Sequence, residues 1–480
     1  MSGKDCVIGL DLGTTAVKAA LYDIDGHCIA EAQREEQLFT PRPGWVEQDP
    51  AAWYERLCVL MKEITGKTKK ERITGIGVSS QGISFVPVDN SFVPLGKALC
   101  WLDNRAAEET EWLKKNIGED KIFHITGKRL SSFYSLPKII WLKKNEAHVF
   151  NSTYKILSTM DYAIARLTAR AITEPTMAAG TMAFDVFKSS WSGEILQKCN
   201  IPESILPFVT ETGKEAGILG KEAADASGLK AGIPVFCAGQ DQKAAAYGAG
   251  ITEGIATVSL GTAAAFEILI DRKIHVDQGI NTENFALPVC PYIENNKWVL
   301  EGCVGTAGAA IKWLNNNVVR AKDYAEMDRL CAASPPGSRG LRFFPFLEEE
   351  GSCRGLKLGT GLEDIVRALY EGIVFELKSQ LEAALKAGAV IRRLNVFGGA
   401  AKSKILCAIL ADVSGYPVQT FVNRELCLLG AAKITAAALG SDPEIFAGNS
   451  LAVDSYYEPD QKNVKQYQEI YYHYLHARGE

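Results

Sequence analysis

The tripeptide Leu12-Gly13-Thr14 returns as Leu260-Gly261-Thr262 in the second half of the 480-residue chain, each time at the end of an apolar, β-rich run. In the first copy Val7, Ile8 and Leu10 read as a buried strand. Gly13 then lets the backbone turn, so that N–H groups and the Thr14 and Thr15 hydroxyls can face an anion. Asp11, at the strand's end, can reach a Mg²⁺ that bridges phosphates, usually through water because Mg²⁺ gives up its hydration reluctantly. Val17, Ala19 and Leu21 alternate with Lys18 and Ala20, the pattern of a strand returning from a hairpin. Ala256 to Phe266 repeats strand, glycine turn and strand. A single Gly-Thr is an ordinary hairpin turn; two of them suggest two walls of one phosphate site, one from each half of the chain.

A second place for chemistry is Gly239-Gln240-Asp241-Gln242, which follows the apolar run Ile233 to Ala238 and precedes a small-residue helix expected over Ala244 to Gly250. A carboxylate at the C-terminal edge of a strand stands where α/β proteins place their ligands. Asp241 could accept a proton from a hydroxyl as that oxygen attacks a γ-phosphate, the general-base role of phosphoryl transfer. The plainer alternative is a helix N-cap, for which Asp is a favoured residue.

The elements that must position these groups alternate between strand and helix. Ile73 to Gln81 reads as a strand entering a polar turn, and Ser84 to Asp89 as the next strand. At this length and with 47% hydrophobic residues, the chain is expected to form two lobes, residues 1–246 and 247–480. A net charge of -5 and a pI near 5.9, with no dense Lys/Arg run, argue against nucleic acid as the main partner. Lys67 to Lys70 is too short to change that and reads as a solvated helix end. Twelve scattered cysteines, without Cys-x-x-Cys or zinc spacing, read as reduced thiols of a cytosolic protein. No signal peptide or membrane span is read, so the cytoplasm is the expected location.

Phe133 to Asn145 resembles the first signature of the FGGY carbohydrate kinases, a family that includes glycerol, gluconate and ketopentose kinases. Gly355-Leu356 with Asp364 to Glu371 resembles the second, Cys353 standing where a larger apolar residue is usual. Phe397-Gly398-Gly399-Ala400-Ala401-Lys402-Ser403 resembles the family's adenosine-site glycine turn. The resemblance implies an α/β fold of the two-lobed actin-like, ribonuclease H-like ATPase type, with a cleft between lobes. It implies ATP and Mg²⁺ as cofactors, Asp241 as the catalytic base and Asp11 near the metal. It places Gly13, Thr14, Thr15, Lys18, Gly261, Thr262 and Gly308 at the phosphates and Gly399, Ala400 and Ser403 at the adenosine.

The sugar side departs from the family's patterns. Ser80-Gln81-Gly82-Ile83 stands where glycerol kinases carry Asn-Gln-Arg-Glu, which disfavours glycerol. Xylulose-type kinases have Gln-Met-His-Gly there; Gln81 is kept while Gly82 and Ile83 replace Met-His, which counts against xylulose itself. Trp101-Leu102-Asp103-Asn104-Arg105, Asp161-Tyr162 and Ala178 to Met182 nonetheless resemble segments of the xylulose-type enzymes. Gln81, Gly82, Ile83, Trp101, Asp103, Asp241 and Gln242 are therefore the expected substrate set, Gln81, Asp103 and Gln242 pairing with hydroxyls and Trp101 offering a flat wall. Trp101 as plain core and Asp103 as a salt bridge to Arg105 are the simpler readings. Glu348 to Glu350, in place of a longer loop in relatives, is expected to be a solvated surface turn.

The expected reaction is ATP-dependent phosphorylation of a primary hydroxyl of a small sugar, a ketopentose first, with gluconate or a polyol as the alternative. A non-catalytic sugar or nucleotide sensor and a partner-driven actin- or Hsp70-like ATPase are the readings of another class. The tail after residue 450, with Tyr456, Tyr457, Tyr467, Tyr471 and Tyr472, reads as a docked helix. A homodimer is left open, because a helix such as Ile405 to Val413 suits a core or a dimer face.

Overall fold

Glycines on the first strands decide how this chain packs. The computed structural model describes residues 4–67, 69, 72–270, 287–347, 350–423 and 425–479. Glu348 and Glu349 of the expected acidic turn lie outside them, as do Thr68 and Lys70 of the short basic run. The chain forms two compact units: Met1–Gly248 with Pro288–Trp298 and Glu425–Ser450, and Ala249–Leu287 with Val299–Arg424 and Leu451–Glu480. The sequence suggested a cut after residue 246; the first unit ends its long segment at Gly248 and also includes Pro288–Trp298 and Glu425–Ser450 from the second half of the chain.

The sheet of the first unit runs in the order Glu215–Ile218, Pro234–Gln240, Ile73–Ser80, Cys6–Leu12, Ala16–Asp23, Cys28–Glu35. Cys6–Leu12 and Ala16–Asp23 form the expected antiparallel hairpin, Asp11 opposite Lys18. On its other side Cys6–Leu12 pairs in parallel with Ile73–Ser80, which pairs in parallel with Pro234–Gln240. All seven residues of Cys6–Leu12 are buried, as a strand covered on both faces requires.

The second unit repeats the plan. Its order is Val453–Tyr457, Val418–Phe421, Ile391–Phe397, Gly254–Leu260, Ala264–Ile270, Trp298–Val304. Gly254–Leu260 is the antiparallel partner of Ala264–Ile270 and the parallel partner of Ile391–Phe397. The repeated tripeptide is thus the sequence trace of a repeated sheet. The helix Gln461–Arg478 buries Tyr467, Tyr471 and Tyr474, while Tyr472 is exposed and Tyr456 lies on the edge strand. Lys404–Ser414 buries Leu406, Cys407, Ile409, Leu410, Ala411 and Val413, a core helix.

In the first unit the helix Leu426–Ala438 crosses the glycines of two central strands. A Cβ on Gly9 would lie 2.4 Å from the Leu428 carbonyl oxygen, and one on Gly77 would lie 2.6 Å from that of Ala431. The same helix meets Asp241–Gly248 through Gly430, where a Cβ would stand 1.8 Å from the Ala244 oxygen. Backbones this close leave no room for one methyl group. A four-stranded sheet, Glu47–Gln48, Ala98–Leu99, Phe85–Val88 and Lys155–Ser158, completes the unit's substructure around the Trp101 loop. Among the described residues no helix is long and apolar enough to cross a membrane.

Gly430→Ala should lower the thermal midpoint sharply, since overpacking costs about 1–3 kcal/mol or more. Gly448→Ala, where a Cβ meets nothing within 4 Å, should leave it unchanged or raise it. Calorimetry of the two variants checks the pair; equal midpoints would refute the packing argument.

Candidate active site

Three parallel strands end side by side and set the first group of residues. Asp11 pairs with Ser79 across one register and Ser80 with Gln240 across the next. Asp241 begins the helix that follows Pro234–Gln240, as its position before a small-residue run predicted. Its Oδ1 accepts from the Gln242 backbone N–H at 2.8 Å and from the Gln240 amide. Gly239, at φ +88°, makes the sharp exit from the strand, and the Gln240 N–H donates to Thr176 Oγ1 at 2.9 Å. Thr176 in turn donates to Glu174, which is fully buried.

Asp11 is buried, and its Oδ1 has no hydrogen-bond partner among the described residues. Burial raises its carboxyl to about 6, against the pull of the Lys18 cation and a hydrogen bond with Cys427. Lys18 itself pairs with Glu425. Burial presses its ammonium down, but Glu425 and Asp11 outweigh that and raise it. Cys427 lies within the fields of both Asp11 and Asp241, and its thiol donates to Ser79 Oγ at 3.4 Å. Burial and those two carboxylates push the thiol well up, so it stays protonated. Neither Glu425 nor Cys427 carries a local signal that sequence reasoning could use.

The expected sugar residues divide. Trp101 Nε1 donates to Thr14 Oγ1 at 2.9 Å, and that hydroxyl donates to Gln81 Oε1 at 2.9 Å. Gln81 Nε2 donates to Gln48 Oε1 at 2.8 Å, and Gln48 Nε2 returns to the Thr14 carbonyl at 3.0 Å. This closed ring fixes Trp101, half-buried and edge-on to Phe133, against the first hairpin. It also engages the Thr14 hydroxyl and buries Gln81, so these two act by holding the ring, while Thr15 is the exposed hydroxyl of the turn. Asp103 is corrected out of the substrate set. Its carboxylate is fully buried, paired with Arg105 at 2.8 Å and accepting the Val46 N–H at 2.6 Å. The Arg105 guanidinium lies 3.7 Å from the Trp45 ring centroid and 5.0 Å from that of Trp141, and it reaches Glu47. The salt-bridge reading prevails because every lone pair aimed inward already has a donor.

Lys138, inside the segment that resembled a family signature, holds this loop from beneath. Its ammonium donates to the carbonyls of Cys100 at 2.7 Å, Phe133 at 2.9 Å and Trp101 at 3.2 Å. Burial lowers it to about 7, Asp103 opposing.

Gly82 and Ile83 are shaped by their neighbours. A Cβ on Gly82 would lie 3.1 Å from Gln240 Cγ, so the missing side chain makes room for Gln240, a residue that sequence reasoning gave no role. Gln240 Oε1 is buried, with no hydrogen-bond partner among the described residues. Ile83 adopts φ +59°, which a β-branched residue rarely tolerates, inside a γ-turn closed by Ser84 N–H to Gly82 O at 2.8 Å. Ser135 Oγ donates to the Ile83 carbonyl at 2.9 Å and holds the strain in place.

In the second unit the Gly261 N–H closes its turn on the Ala263 carbonyl at 2.9 Å, as the Gly13 N–H closes on Ala16 at 3.0 Å. Thr262 is exposed, like Thr15. Gly308 donates to the Gly261 carbonyl at 3.0 Å, and a Cβ there would stand 2.4 Å from that oxygen. Its first task is therefore to brace the hairpin, which the expectation of a phosphate contact did not include. Gly399 is exposed, with open space where a Cβ would lie, and Ala400 follows it in a short 3₁₀ turn. Ser403 caps Lys404–Ser414 and donates to Asp328 at 2.8 Å, a carboxylate that sequence reading did not single out.

Comparison with known proteins matches residues 6–248 to the FGGY family of carbohydrate kinases, N-terminal domain, and residues 256–439 to the C-terminal domain of that family. A xylulose kinase of Staphylococcus xylosus is 29% identical, over 97% of this chain and 98% of that protein. Among solved structures, ligand-bound xylulose kinase from Lactobacillus acidophilus has a TM-score of 0.92 at 25% identity, covering 99% of this chain and 98% of that one. Gluconate kinase from the same organism matches with the same TM-score, identity and coverage. The fold is α/β of the actin-like, ribonuclease H-like sugar-kinase type, as the sequence implied.

Lys138→Met should destabilise the first unit, at about 1–3 kcal/mol for each carbonyl left without a donor. Because the folded state holds the Lys138 proton less tightly than the unfolded chain, stability should rise with pH between about 7 and the ordinary 10.5, and the variant should lack that rise. Urea unfolding at neutral and mildly alkaline pH reads both effects; parallel pH profiles would refute the assignment.

Proposed function

Since this chain belongs to the FGGY family of carbohydrate kinases, we propose that it transfers the ATP γ-phosphoryl group to a primary hydroxyl of a ketopentose, with Asp241 as general base. The observation that carries the reading is Asp241 directly after the strand Pro234–Gln240, anchored by the Gln242 N–H, with Gln240 beside it packed at Gly82. The sugar hydroxyl gives its proton to the Asp241 carboxylate as its oxygen attacks, and Gln240 and Gln242 orient the neighbouring hydroxyls. Trp101, held by the Thr14–Gln81–Gln48 ring, offers a rigid apolar face for the carbon side of the sugar.

The buried, unpartnered Asp11 Oδ1 suits a hydrated Mg²⁺, and the nearby Lys18–Glu425 pair leaves that oxygen open. When bound, the ion would offset charge on the phosphates. Thr15 and Thr262 are the exposed hairpin hydroxyls suited to phosphate oxygens, and Gly399 leaves space for the adenosine. Xylulose kinases among the relatives favour a ketopentose. Ile83, apolar where xylulose-type kinases carry His, argues for a sugar that presents carbon rather than hydroxyl at that point.

Asp241→Asn should reduce sugar-dependent ADP release by about 10²–10⁴-fold while leaving nucleotide binding intact. A coupled assay across D-xylulose, D-ribulose, their L-isomers, gluconate, glycerol and tetritols identifies the substrate. Unchanged turnover in the variant would refute the base; ATP binding with no response from any of these substrates would favour a sensor.

A further inference from the structure

Just before Asp241 the strand Pro234–Gln240 slips register against Ile73–Ser80: Cys237 faces Val78 and Gln240 faces Ser80, so Ala238 and Gly239 together stand against Ser79. Such a bulge interrupts the ladder and re-aims the side chains that follow. Side chains take over at the peptide group that joins Gly239 to Gln240. Ser79 Oγ donates to its carbonyl at 2.8 Å, and its N–H donates to Thr176 Oγ1 at 2.9 Å. Gly239 turns there at φ +88°, and a Cβ on it would lie 3.3 Å from the same Thr176 oxygen.

Thr176 is fixed in turn by the buried Glu174. One carboxylate oxygen accepts the Thr176 hydroxyl at 2.6 Å and the Met177 N–H at 2.7 Å; the other accepts the Thr176 N–H at 2.9 Å and the Thr212 hydroxyl. A hydroxyl has one proton, so the Thr176 oxygen that gives it to Glu174 turns a lone pair to Gln240. Capping explains only part of this. The short helix Pro175–Ala179 needs an acceptor at its start, which Ser, Thr, Asp or Asn commonly supplies. A carboxylate kept fully out of water on neutral donors alone is an expensive cap, and two of those donors are hydroxyls that a cap does not require. Gln240 carries the order one residue further, its side-chain amide donating to Asp241 Oδ1. A continuous path of hydrogen bonds therefore runs from Glu174 through Thr176 and Gln240 to Asp241.

We propose that Glu174, acting through Thr176, is a positioning residue for Asp241: it fixes the peptide plane before Gln240 and with it the direction of the Asp241 carboxylate. The proposal rests on Asp241 as the base assigned above. Glu174 has no part in the proton transfer itself, because its hydrogen bonds go to Thr176, Met177 and Thr212.

Thr176→Val removes the hydroxyl at nearly constant shape, and Thr176→Ser keeps it. With Mg-ATP and whichever of the sugars assayed above is turned over fastest, Thr176→Val should lower kcat by about 10–100-fold and leave both KM values within about twofold, while Thr176→Ser stays near the parent enzyme. Glu174→Gln, whose amide NH₂ would face an N–H whichever way it turns, should show the same loss; unchanged turnover there removes Glu174 from the path. In the Asp241→Asn background Thr176→Val should cost nothing more, since the carboxylate it aims is gone. A further loss of the full size in that background, or a rise in KM alone, overturns the positioning role. Full turnover by Asp241→Asn refutes the base and the positioning role with it, whereas an impaired Asp241→Asn beside an unaffected Thr176→Val refutes the positioning role alone. Hydrogen exchange gives a reading that needs no sugar: in Thr176→Val the Gln240 amide should exchange about tenfold faster or more, with the amides of Ile73–Ser80 unchanged. Equal protection of Gln240 in variant and parent overturns the proposal.

Discussion

The close approach of the helix Leu426–Ala438 to the glycine-bearing strands is the constraint on which the first unit depends. Gly9 and Gly77 let its backbone lie against the sheet, and Gly430 lets it lie against Asp241–Gly248. That contact brings Glu425 to Lys18 and Cys427 into the fields of Asp11 and Asp241. Residues more than four hundred positions apart in sequence thereby share one electrostatic environment. Interiors at this density transmit any added methyl directly to the backbone, so the glycines are geometric requirements.

Burial is used unevenly around the site. The Arg105–Asp103 pair, Lys138 and the Thr14–Gln81–Gln48 ring are saturated with partners, which makes them rigid supports. Asp11 and Gln240 each keep one buried oxygen without a hydrogen-bond partner among the described residues. An unpaired polar atom in a low-dielectric site costs free energy until something binds there, and that cost is offset only in a loaded state.

The Gly82-Ile83 turn carries a different sort of strain. Its positive φ persists because Ser135 fixes the Ile83 carbonyl and Ala178–Thr181 packs behind it, where a Cβ on Gly180 would lie 2.6 Å from the Ile83 side chain. Backbone strain of about 1–3 kcal/mol requires surroundings that over-determine it. Beside the turn, Gln240 packs where a side chain on Gly82 would begin, so that side of the turn is filled.

Periodicity and turn chemistry act within a few residues, so the sequence alone determined both hairpins, the strands leading to Gln81 and Gln240, the helix at Asp241 and the docked tail. Repetition of Leu-Gly-Thr already announced two similar sheets, and the family signatures pointed to the kinase class. Side-chain partners were decided only by the tertiary structure. Asp103 spends its charge on Arg105, Gly308 braces a hairpin, Tyr474 is buried where Tyr472 is not, and segments 288–298 and 425–450 join the first unit. Each of these depends on which distant backbone arrives within a few ångströms, a quantity fixed by packing between elements and invisible to any local pattern.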